Sequence, residues 1–126
     1  MDNDEDVLMA LERTLEDRGY ATATALSYAE ASKLLAQARF DLCVLDDYLS
    51  DKDSIQVLTE FRRAGITPLV IVTYHRYPSS DEEQQLLSLG VAALINKRAH
   101  SELARMADHL LEPKIARSGD AFDVMT

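Results

Sequence analysis

The chain predicts an α/β fold built on a doubly wound parallel sheet, and three observations carry that prediction. Apolar runs at 40–45, 68–72 and 91–95 have the length and near-continuous hydrophobicity of strands buried on both faces. Stretches with helical spacing of apolar residues separate them, as the alternation of a parallel sheet requires. Polar residues close each run: Asp46, Thr73, and Asn96 followed by Lys97. Ligands of such sheets bind at the carboxyl ends of the strands. An acid, a hydroxyl and an amine are therefore expected to meet on one rim, a trio suited to a phosphoryl group.

The elements follow in order. Val7, Leu8, Leu11 and Leu15 share one face of a first helix ending near Gly19. Ala21 to Leu26 reads as a weak strand. Ser27 opens a second helix, with Glu30 completing a capping box and Ala31, Leu34 and Leu35 as its apolar face. Phe40 to Asp46 is the strongest strand, and Ile55, Val57, Leu58 and Phe61 mark a third helix ending near Gly65. Pro68 to Thr73 is a strand. Ser80 and Glu83 form another capping box, opening a fourth helix through Leu86, Leu87 and Leu89 to Gly90. Val91 to Asn96 is a strand, and a fifth helix runs from about Ser101 to Leu111.

Residues 1–112 form one domain on this reading and 113–126 a C-terminal tail. The first helix begins almost at Met1, so the sheet lacks, or replaces, the strand that should precede it. Two readings stay open. The tail segment Phe122 to Met125 fills that slot, in its own chain or in a neighbour's. Alternatively the tail is disordered and a first strand precedes Met1.

Composition narrows the function. The chain has 126 residues, 47% hydrophobic and 28% charged, enough for one soluble globular domain. Its 22 acids against 13 Lys and Arg, a formal charge of −9, argue against a nucleic-acid binder. The lone Cys43 lies inside an apolar run, which excludes a disulfide framework. No run approaches a membrane span and no signal peptide is evident, so a cytoplasmic location is expected.

Asp2-Asn3-Asp4 before the first helix, Asp46 with Asp47 after the middle strand, and Thr73 and Lys97 at the next two strand ends together resemble the receiver domain of bacterial two-component response regulators. The resemblance spans roughly residues 2–111 and implies a CheY-like, flavodoxin-like three-layer sandwich. It also implies that Asp46 accepts a phosphoryl group from a histidine kinase or phosphotransfer protein. Thr73 matches the switch hydroxyl, and Lys97 the lysine that pairs with the aspartate and then with the phosphate. Mg²⁺ is the implied cofactor, held by Asp2, Asn3, Asp46 and the backbone carbonyl of Tyr48. His75 matches a position that tunes dephosphorylation. The output is a protein contact through the fourth helix, fifth strand and fifth helix, and a homodimer is compatible with the family. On this reading the protein is a stand-alone phosphoacceptor rather than an enzyme, with self-dephosphorylation as its only turnover.

The chain departs from the family pattern at several places. Asn3 replaces a carboxylate and should weaken the metal site, because an amide oxygen ligates without charge. Tyr74 stands where a small residue is usual, Leu94 where many members have an aromatic, and Arg98 where a proline follows the lysine. Ser50 and Ser54 replace a proline and a glycine. These departures motivate a second reading, a pseudo-receiver that binds or dimerises without phosphorylation. A haloacid-dehalogenase-type phosphatase would need a second aspartate where Tyr48 stands.

Simpler readings account for other residues. Asp4, Glu5 and Asp6 suit a helix N-terminus, Asp47 a solvated neighbour, Arg62 and Arg63 a helix end, and His100 and His109 surface or helix-end roles.

Overall fold

The computed structural model describes residues 5–37, 39–46, 52–66, 68–111 and 123–125. Five helices and five strands alternate: α1 (Glu5–Glu16), β1 (Ala21–Ala23), α2 (Tyr28–Gln37), β2 (Leu42–Asp46), α3 (Ser54–Ala64), β3 (Leu69–Tyr74), α4 (Ser80–Ser88), β4 (Ala93–Asn96), α5 (His100–Leu111) and β5 (Asp123–Met125). All strand pairs are parallel, in the order β1-β5-β2-β3-β4. The structure is the α/β doubly wound sandwich that the sequence predicts.

The sheet sorts its side chains by the two-residue period of a strand. Cys43, Leu45, Val70 and Val72 face a cluster with Ala31 of α2, Val57, Leu58 and Phe61 of α3, and Leu86 of α4. Leu42, Val44, Ile71 and Ile95 face the opposite cluster, with Leu11 and Leu15 of α1 and Leu103, Ala104, Ala107 and Leu111 of α5. Every residue of β2 is buried, whereas β1 and β4 are partly exposed. Continuous apolar runs therefore mark the middle of the sheet and weaker ones its margins.

The slot beside β2 is filled from the same chain. Ala21, Thr22 and Ala23 pair with Asp123, Val124 and Met125, while Leu42 and Cys43 pair with Val124 and Met125 on the other side. A domain boundary at 112 would leave this strand in the tail, yet it pairs inside the sheet.

Two helix starts differ in detail from expectation. At α2, Glu30 N–H donates to Ser27 Oγ at 3.2 Å, but the Glu30 carboxylate accepts from Leu26 N–H at 3.1 Å instead of closing on Ser27. At α4 the cap is Ser79, one residue earlier than Ser80. It accepts from Glu82 N–H at 3.2 Å, and its hydroxyl donates to the Glu82 carboxylate at 3.0 Å. The N–H that must be satisfied is that of the third helical residue, so the cap follows the true helix start. Among the described residues no helix is long and apolar enough to cross a membrane.

Candidate functional site

Strand β2 presents Asp46 at the carboxyl end of the sheet. Its register is firm because Leu42 to Leu45 are buried on alternating faces, and a one-residue slip would exchange the two cores. That register sets Asp46 directly opposite Thr73 on β3. Thr73 in turn lies opposite Ile95 on β4, and Tyr74 opposite Asn96. One residue further, Lys97 N–H donates to Tyr74 C=O at 3.0 Å, which prolongs the ladder to the lysine.

The three side chains expected on one rim are thus delivered there by register. Asp46 and Thr73 are 5% and 3% exposed, and Lys97 Nζ lies 3.7 Å from Asp46 Oδ2. A carboxylate this buried needs a partner charge, and the lysine supplies it. The arrangement combines a nucleophilic carboxylate oxygen, a neighbouring hydroxyl and a cation able to offset charge on an incoming anion.

The turn after β4 holds Lys97 in place. Arg98 N–H donates to Asn96 Oδ1 at 3.0 Å, and Ala99 N–H to Asn96 C=O at 2.9 Å. A proline at 98 could not make the first bond, so this turn is built on the N–H that Arg98 provides. Tyr74, next to Thr73, packs edge-on against Tyr77 with ring centroids 5.1 Å apart. Tyr77 is 52% exposed, so an aromatic pair flanks the rim. His75 is exposed, and Leu94 is half-buried against the α2–α4 core.

Sequence reasoning missed the anchor at the start of α3. Asp53 caps α3, accepting from Gln56 N–H at 2.8 Å, while the Gln56 side chain accepts from Asp53 N–H at 3.0 Å. The Asp-x-x-Gln spacing was the available signal. Lys52 Nζ pairs with Glu60 at 3.0 Å and sits 5.4 Å from the Tyr28 ring centre. Hydrogen bonds from Tyr28 and Lys52 hold the Glu60 carboxyl below its ordinary range.

Of the expected metal donors only Asp46 is described; Asp2, Asn3 and Tyr48 lie outside the described residues. Among the described residues no group of three or more His, Cys, Asp or Glu could hold a metal.

Residues 1–108 match the family model described as "Response regulator receiver domain". The chain is 34% identical over 108 residues to the alginate biosynthesis transcriptional regulatory protein AlgB of Pseudomonas putida, covering 85% of this chain and 24% of that one. The chain therefore spans about a quarter of that regulator's length. Among solved structures, a Francisella response regulator receiver domain superposes with a TM-score of 0.80 at 23% identity, covering 88% of this chain and 92% of that one. A Burkholderia pseudomallei response regulator with a phosphorylated aspartic acid, a calcium ion and citrate gives 0.71 at 25% identity, covering 91% and 73%. With sheet order, rim residues and family match in agreement, the chain belongs to the response regulator receiver domain family.

Proposed function

We propose that this receiver accepts a phosphoryl group on Asp46 from a histidine kinase or phosphotransfer protein and passes its state to a protein partner. The observation that carries the reading is the buried Asp46 carboxylate, 3.7 Å from Lys97 Nζ and opposite Thr73. An Asp46 oxygen attacks phosphorus, the phosphorus–nitrogen bond of the donor histidine breaks, and the imidazole leaves with that electron pair. Lys97 offsets charge on the phosphoryl oxygens, and the Thr73 hydroxyl donates to one of them. The donor set of carboxylate, amide and carbonyl oxygens suits a hard divalent cation. Mg²⁺ would be held by Asp46, Asp2, Asn3 and the Tyr48 carbonyl, offsetting repulsion between two anions. The Burkholderia relative, with its phosphoaspartate and calcium, supports both the acceptor and a divalent ion. The protein is thus a phosphoacceptor working in the cytoplasm, not a turnover enzyme.

The test is labelling with acetyl phosphate, with and without Mg²⁺, read by intact mass. A Mg²⁺-dependent gain of one phosphoryl group, lost in Asp46→Asn, is expected. No adduct on the wild type would refute the reading.

Tyr74 packed edge-on against Tyr77 beside Thr73, together with Asn3 in the acidic pair, favours the second reading, a pseudo-receiver that only binds. Mg²⁺ titration separates the two. Saturable binding at millimolar metal that perturbs Asp46 supports the first, and its absence the second.

A further inference from the structure

We propose that β5 is an exchangeable strand, and that two copies of this chain trade it to form a dimer in which each copy's central slot is filled by Asp123–Met125 of the other. The argument begins with where β5 sits. It is an interior strand, paired to β1 on one side and β2 on the other, and all five of its residue pairs join it to distant parts of the chain. None of those pairs depends on which copy supplies the strand. Withdrawal of β5 would strip β1 of its one strand neighbour among the described residues and bare one side of β2. Two rows of backbone N–H and C=O groups would face an empty slot, which is a template for another strand.

The tether has the length for exchange. Helix α5 ends at Leu111, buried on the sheet face, and β5 begins at Asp123. The last turn of α5 lies beside the start of β1, since Arg18 and Tyr20 both contact Asp108, and β1 pairs with β5, so the span to be crossed is short. The eleven residues 112–122 reach about 36–40 Å when extended. A segment longer than closure needs can also serve a neighbouring sheet.

Identical pairs in both arrangements leave the balance to concentration. A connecting segment of this length presents its strand at an effective concentration of about 1 mM, so dilute chains close on themselves and concentrated ones exchange. The slot borders β2, which carries Asp46, so each exchanged sheet holds an acceptor strand of one copy against a strand of the other. This inference stands whether or not Asp46 is phosphorylated.

The test refolds the full chain from denaturant well below and well above about 1 mM and measures mass by light scattering after chromatography. Monomer at the low concentration and a dimer that survives dilution at the high one are expected. Two dimers of different isotopic mass should form mixed dimers only after unfolding and refolding. A second variant lacking residues 114–121 leaves three residues between α5 and β5; a short hinge favours exchange, so its dimer fraction should exceed that of wild type at each concentration. Wild type that refolds only to monomer at high concentration overturns the proposal. So do dimers that mix without unfolding, or a shortened chain that is folded and no more dimeric than wild type. Should the shortened chain fail to fold, the refolding and mixing of wild type decide.

Discussion

Arg62 on α3 reaches across to α4 and donates from Nε to the Leu89 carbonyl at 2.9 Å, with Nη2 on the same oxygen. The guanidinium occupies the space where a Cβ on Gly90 would stand, and Gly90 has a φ of +89°. One glycine thus permits both the turn after α4 and the close approach of the arginine that closes it. Gly90→Ala should destabilise by about 1–2 kcal/mol from the left-handed backbone alone, with a further loss from displacing Arg62. In an Arg62→Ala background the same change should cost less. Equal costs in both backgrounds, measured by urea unfolding, would show that the guanidinium plays no part.

The Asp46–Lys97 pair, 6% and 14% exposed at the side chains, is coupled through burial. Lys97→Met should destabilise by on the order of 2 kcal/mol because it removes the cation that faces a buried carboxylate. Asp46→Asn leaves the reverse imbalance. A double-mutant cycle should therefore return a coupling of about 1–3 kcal/mol. Additive losses would mean that the two groups act independently.

Tyr20 joins the α1 end to α5. Its hydroxyl donates to Asp108, which Arg18 also contacts. Burial, and then the hydrogen bond to Asp108, push the phenol well above its ordinary value of 10.0. A raised value in the folded state means that the contribution is complete below that ordinary value. It is lost as pH rises further, because the unfolded chain releases its proton first. Unfolding free energy should fall above about pH 10, and Tyr20→Phe should remove that part of the slope while costing about 1 kcal/mol at neutral pH. Wild type and variant with parallel alkaline profiles would contradict this.

Cys43 lies wholly buried on β2, and burial pushes its thiol up to about 12. The native thiol should resist alkylation, reacting only as fast as the sheet opens. Cys43 pairs with Met125, so Val124→Pro, which breaks an interior strand, should speed the reaction many-fold. Immediate stoichiometric labelling of the native wild type would contradict the buried placement.

Much of this was legible in the sequence where one physical cause dominates. Strands β2 and β3 declare themselves because burial on both faces leaves no polar position in 42–45 or 70–72. Asp46, Thr73 and Lys97 declare themselves by ending such runs. Strand β5 was legible as a vacancy with the tail segment Phe122 to Met125 as one of two ways to fill it; its three residues carry too little pattern to decide, and their pairing is set by strands some eighty to a hundred positions away. Ser79 was missed for Ser80 because adjacent serines offer the same cap. Lys52, Tyr28 and Glu60 meet only in three dimensions.

The position of β5 also orders events in time. Ala21–Ala23 sits at the margin of the sheet, and its strand neighbour, Asp123–Met125, is made about a hundred residues later. During synthesis on a ribosome β1 therefore has no strand to join until that late stretch emerges. Contacts of such sequence separation are slow to close. A nascent chain holding β2, β3 and β4 would carry the rim of Asp46 and Thr73 before it carries a finished sheet.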